Sequence, residues 1–179
     1  MIKGLIIRKE ETDDFRQISK IIHSAYKHSK MSTHNEEEQI ERLRHSEAYE
    51  KHLALVAILN DTIVGYVMFV RIKIVDTNKV FDALALTHIV VDPEYQHMGV
   101  ATELMHTGHE IAKKLGFKAI FLLGMEDFFP KYGYIPASEL GYKSPFDMPD
   151  MYFMGLELEK NALQNVKGSI TYPKEFFKR

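Results

Sequence analysis

Residues Leu86 to Met105 read LTHIVVDPEYQHMGVATELM: an apolar run, a short polar loop, then a glycine at the mouth of an amphipathic stretch. The β-branched and aliphatic residues up to Val91 favour a strand. Asp92-Pro93 ends it, because proline has no N–H for the ladder and restrains the residue before it. From about Gly99 to Leu115 the apolar positions Val100, Leu104, Gly108, Ile111 and Leu115 recur at helical spacing, and Gly116 is placed to cap the helix. A helix opening here leaves unpaired N–H groups converging near Met98 to Thr102. That arrangement holds phosphate through hydrogen bonds and the helix dipole, and Gly99 lets the backbone approach closely. Neither the Gly-Lys-Ser/Thr of a Walker loop nor a full G-x-G-x-x-G is present. Two readings therefore stand at this point: an anion cradle, or a glycine that merely relieves crowding at a strand-to-helix turn.

Ile2 to Arg8 is a short β-type run. Thr12 is placed to cap a helix running to about His28, with Asp13 and Asp14 in its first turn and Phe15, Ile18, Ile21, Ile22, Ala25 and Tyr26 at helical spacing. A charged helix is expected from about Glu36 to Ser46. Leu53–Leu59 and Thr62–Ile74 form a hairpin about Asn60-Asp61, followed by a strand from about Val80 to Val91. Beyond the central helix, Ala119–Leu123 is a short buried strand. A short segment around Asp127–Tyr132, a strand near Tyr152–Leu158 and a last strand near Ser169–Tyr172 follow. No repeat, low-complexity tract or Gly/Ser-rich linker divides the chain. The order implies one α/β domain over residues 1–179, with a mixed sheet and packed helices. The tail from about 160 is expected to pack on or extend the sheet.

The 179 residues fit one domain, and the 45% hydrophobic and 27% charged shares are those of a globular chain. A net charge of −2 gives no field that would draw in nucleic acid or an anionic membrane. No apolar run approaches the roughly 18 residues of a membrane span. The N-terminal MIKGLIIRKEETDD is too short in apolar residues for a secretory signal. A cytoplasmic location is expected. The absence of cysteine excludes disulfides, thiolate metal sites and a cysteine nucleophile. His106 and His109, three apart without a carboxylate pattern, read as exposed rather than as metal ligands, and no metal is expected.

Gln96-His97-Met98-Gly99-Val100-Ala101 is similar to the Q/R-x-x-G-x-G/A signature of the GNAT superfamily of N-acetyltransferases. Val90-Val91-Asp92-Pro93 before it and the helix and strand after it fit that context. FFPKYGYIPAS (Phe128 to Ser138) resembles the turn that closes the fold, and IRKEETDDFRQISKII resembles its opening strand and helix. The tail resembles a poorly characterised bacterial subgroup. The resemblance implies a mostly antiparallel twisted sheet with a central splayed strand pair and helices on both faces. It implies acetyl-coenzyme A as cosubstrate, with Ile89, Val90 and Val91 along the pantetheine arm. His97, Met98, Gly99, Val100, Ala101 and Thr102 would hold the pyrophosphate. The acceptor would be an amine of a small molecule or a protein, and a homodimer is left open.

Acyl transfer from a thioester to an amine needs a base for the amine and, at most, an acid for the departing sulfur. Many relatives carry a tyrosine four residues before the glycine of the closing Gly-Phe/Tyr pair; here that pair is Gly133-Tyr134 and the position is Phe129. Tyr132 is the neighbouring hydroxyl, with packing as its alternative role. Where some relatives carry a glutamate on the strand before the signature, Ala85 stands here. His88 on that strand is a candidate base or else a hydrogen-bonded strand histidine, and Glu126 beside Asp127 after the Ala119–Leu123 strand is a candidate base or else a helix N-terminal acid. Glu36, Glu37 and Glu38 form a charged helix face or an attractive mouth for a cationic amine. The rivals to an enzyme are a non-catalytic acyl-coenzyme A-binding module or sensor, encouraged by Phe129, and a nucleotide-binding or purely structural interaction domain.

Overall fold

The computed structural model describes residues 2–29, 32–124 and 127–177. Eight strands share one sheet: β1 (Ile6–Lys9), β2 (Tyr49–Leu59), β3 (Thr62–Val75), β4 (Val80–Val91), β5 (Ala119–Leu123), β6 (Ile135–Pro136), β7 (Phe153–Glu157) and β8 (Ser169–Thr171). Their spatial order is β1-β2-β3-β4-β5-β7-β6, with β8 pairing the far end of β3. Every pairing is antiparallel except β4 with β5, which is parallel. The crossover between those two strands is α3 (Val100–Lys114), packed on one face of the sheet. α1 (Phe15–Tyr26) and α2 (Glu36–Arg44) cover the other face.

The local reasons are mostly those the sequence offers, with four differences. Glu11, not Thr12, caps the first helix: Thr12–Asp14 is one 3₁₀ turn, and the Asp14 carboxylate accepts the Glu11 N–H at 2.7 Å. Asp14 also takes a bidentate bond from Arg8, which holds its carboxyl below the usual range. β2 begins four residues before Leu53, at Tyr49, because the chain resumes pairing with β3 across an irregular register. Leu115 leaves the apolar face of α3 and is 44% exposed, since the helix has ended and Gly116 (φ +86°) turns the chain away. His109 is not solvent-facing, as described below.

The pairing of β4 contains the feature that makes a site. β4 stays with β3 along its whole length, from Val80↔Val75 to Val91↔Gly65, yet its pairing with β5 stops at Leu86↔Leu122. The segment Thr87–Val91 therefore has a free edge where β5 has diverged. A β-bulge marks the same place, with Met68 opposite His88 and Phe69 opposite Leu86, so that Thr87 is the extra residue. A bulge reverses the alternation of faces. Leu84 and Leu86 point into the α3 layer, whereas His88 and Val90, of the same parity, lie on the α1/α2 face. Ile89 and Val91 take over the α3 side.

Candidate active site

The loop after β4 arranges its backbone for an anion. Asp92 Oδ1 accepts the Glu94 N–H at 3.0 Å and closes the turn at Pro93–Tyr95. His97 (φ +62°) and Gly99 (φ +96°) are both left-handed and flank Met98. Holding His97 there costs on the order of 1 kcal/mol, a strain that points to a constrained loop. The Gly99 carbonyl receives the first helical bond, from Glu103 N–H at 3.1 Å, and no side chain caps the end. The N–H groups of Val100, Ala101 and Thr102 are thus orphan donors at the positive end of a fifteen-residue helix. Gly65 lets this end press onto the sheet: a Cβ there would lie 2.9 Å from Val100 and 3.3 Å from the Val90 carbonyl.

A cavity of about 610 Å³ joins the free strand edge to this helix end. Ile89, Val91 and Val100 line it with apolar surface, His97, Gly99, Ala101 and Thr102 form its polar end, and Phe128, Lys131 and Tyr132 close it from the far side. The long wall suits an extended flexible arm, and the helix end suits a polyanion. Of the residues anticipated for the cosubstrate, Met98 is 50% exposed and not part of the lining, and the Val90 side chain belongs to the opposite layer. Phe128, Lys131, Tyr95 and Gln96 line the cavity and were not anticipated. Tyr95 and Gln96 adjoin or open the quoted signature, whereas Phe128 and Lys131 reach the cavity because the closing turn folds back on α3.

The catalytic candidates separate. The Tyr132 hydroxyl hydrogen-bonds Thr102 Oγ1 at 3.0 Å, tying the closing turn to the first turn of α3. Phe129 is buried between Gly124 and Tyr134, and the neighbouring Phe128 ring faces the cavity instead. His88 is 3% exposed and lies on the other face of β4. Thr87 Oγ1 gives its proton to the Met68 carbonyl at 3.2 Å, so the 3.1 Å contact with His88 requires Nδ1–H as donor. Nε2 then carries the lone pair. Burial pushes the His88 pKa down to about 4, against an opposing pull from Glu36. Glu126 lies outside the described residues.

The α1/α2 face holds a polar cluster that no sequence motif announces. Glu10 accepts Arg44 Nη2 at 2.7 Å, Arg44 Nε at 3.1 Å and the Tyr49 hydroxyl at 2.8 Å. The Arg44 guanidinium stacks 3.7 Å over the Phe15 ring. Beside this pair the Tyr66 hydroxyl is buried with no hydrogen-bond partner among the described residues, its pKa pushed up chiefly by burial. On the α3 face, His109 Nε2 meets the Tyr134 hydroxyl at 2.9 Å and its ring lies edge-on to Phe69. That partly buried pairing corrects the expectation of an exposed residue; burial pushes the His109 pKa to about 4. Among the described residues no group of three or more His, Asp or Glu is placed to hold a metal ion.

A mixed sheet splayed beside β4, with a helix N-terminus opening on the gap, is the GNAT arrangement. The profile of the acetyltransferase (GNAT) family matches residues 15–134, and the chain belongs to that family. It is 29% identical over 146 residues to the uncharacterized N-acetyltransferase YjhQ of Escherichia coli K12, covering 81% of this chain and 76% of that one. It is 23% identical over 125 residues to the uncharacterized N-acetyltransferase YhbS of the same strain, covering 69% and 74%. Among solved structures, E. coli YhbS in complex with CoA superposes with a TM-score of 0.86 at 21% identity, over 98% of this chain and 93% of that one. A GNAT acetyltransferase from Brucella melitensis in complex with acetyl-CoA gives 0.77 at 22% identity, over 97% and 98%. These structural likenesses establish the fold. No helix among the described residues is long and apolar enough to cross a membrane.

Proposed function

We propose that this protein transfers an acetyl group from acetyl-coenzyme A directly to an amine of a small molecule or a protein. The observation that carries the proposal is a cavity in which the free edge of β4 meets the orphan amides of α3. The pantetheine arm lies along Ile89 to Val91, and the pyrophosphate rests on the amides of His97 to Thr102. The relatives solved with CoA and acetyl-CoA support this reading.

In the transfer, the amine lone pair attacks the thioester carbonyl carbon and the carbonyl oxygen becomes an oxyanion. A backbone N–H on the unpaired edge of β4 is suited to hold that charge. The C–S bond then breaks and thiolate leaves without a dedicated acid, in keeping with Phe129 standing where many relatives carry a tyrosine. The amine must lose a proton, directly or through water. His88 is the proposed acceptor, because it sits on the splayed segment with its Nε2 lone pair free of the Thr87 bond.

The test is release of free coenzyme A thiol from acetyl-coenzyme A across a panel of small amines and peptide N-termini, alongside thermal protection by coenzyme A. Protection with acceptor-dependent thiol release is expected. Protection without turnover on any acceptor would favour the sensor reading that Phe129 encourages. Neither protection nor turnover would refute the assignment.

A further inference from the structure

Coenzyme A carries a pyrophosphate and a further phosphate, so a bound molecule brings several negative charges against the α3 end. Neutral amides and a helix dipole offset only part of that charge. The signature loop adds no permanent cation: its members are Gln96, His97 and Met98, and the Gln96 amide already donates to the Val91 carbonyl at 3.2 Å.

The opposite wall has a cation. Lys131 is the sole Lys or Arg among the described residues lining the cavity. Its ammonium lies 4.5 Å from the Phe128 ring centroid and 5.0 Å from that of Tyr132, and both rings face the same space. Cation–π contacts hold an ammonium in place while leaving its N–H donors free for an anion. No described carboxylate forms an ion pair with it. The Tyr132–Thr102 hydrogen bond fixes the turn bearing Lys131 against the orphan amides.

We propose that Lys131 is the counter-charge of the cosubstrate's pyrophosphate, and that the closing turn Phe128–Tyr132 is the second wall of the phosphate cradle. This rests on the acetyltransferase reading above. The experiment is calorimetry of the full chain and of Lys131→Met and Lys131→Arg with coenzyme A and with dephospho-coenzyme A, which lacks the 3′-phosphate, at low and high salt. Methionine keeps the stem on the two rings, so thermal unfolding should not move. Lys131→Met should weaken both ligands by the same factor, roughly tenfold, and flatten the salt dependence. Lys131→Arg should stay within about threefold of the parent, since the charge is kept. A loss confined to coenzyme A would move the lysine to the 3′-phosphate and overturn the assignment. An unchanged affinity for both ligands would overturn it entirely. A parent protein that binds neither ligand would instead refute the acetyltransferase reading beneath it.

Discussion

The two faces of β3 and β4 are built on different terms. On the α3 face the cavity proposed for the cosubstrate is made largely of backbone: a strand edge freed where β5 diverges, and helix amides left free because no side chain caps the helix end at Gly99. On the α1/α2 face the polar work is done by side chains from distant parts of the chain, with Glu10, Arg44, Tyr49, Tyr66 and His88 gathered under two helices. A backbone site tolerates change in most of its side chains. A buried ion pair does not tolerate loss of one partner. The proposed cosubstrate site thus sits on the tolerant face, and the face to which His88 belongs is held by a few specific residues.

The largest effect should come from breaking the ion pair. Arg44→Met leaves the Glu10 carboxylate buried and uncompensated, which costs about 3–5 kcal/mol and lowers the melting temperature by roughly 10 °C. Adding Glu10→Gln should recover part of the loss. A single-variant change under about 1 kcal/mol, measured by urea unfolding, would show that the cluster is not the structural anchor of α2.

Acid should act next, through the buried imidazoles. His88 has a folded pKa pushed from 6.5 to about 4, so between those values the unfolded chain binds the proton and the folded chain does not. Stability is therefore full above pH 6.5 and falls as pH drops toward 4, by up to about 3 kcal/mol from this residue. His109 contributes in the same direction. His88→Gln should flatten the melting-temperature profile in that window; an unaltered profile would place the titration elsewhere.

The smallest effect is expected on the tolerant face. Tyr132→Phe removes the hydroxyl bonded to Thr102, and should raise the coenzyme A dissociation constant by about threefold to fivefold while leaving kcat within a factor of two. A kcat loss of 100-fold or more with unchanged binding would restore Tyr132 as the general acid.

The sequence makes the tolerant face legible because its signals are local. Gly99 after an apolar strand, Asp92-Pro93 and the spacing of Val100, Leu104 and Gly108 all lie within one crossover. The bulge at Thr87 is hidden, since Leu86, Thr87 and His88 all suit a regular strand, and with it goes the assignment of His88 and Val90 to a face. The Glu10–Arg44–Tyr49 contacts join residues 34 and 39 positions apart, a separation for which no short pattern exists. His109 falls on the edge of the α3 stripe, where only the position of Tyr134 decides its burial. Lys131 reads as an ordinary turn lysine until the turn is seen folded against α3.

Gly99→Val asks whether backbone at the start of α3 holds the cosubstrate. At φ +96° a β-branched residue is strongly disfavoured, so the loop must rearrange and its amides must lose their convergence. A Cβ there meets nothing closer than 3.9 Å, so the rest of the molecule should remain folded. Calorimetric titration with acetyl-coenzyme A should show binding weakened by at least about 100-fold, the loss of two or more charge-assisted hydrogen bonds, in a variant with an unchanged circular dichroism spectrum. Binding within a few-fold of the parent, in a folded variant, would show that the cosubstrate is held elsewhere.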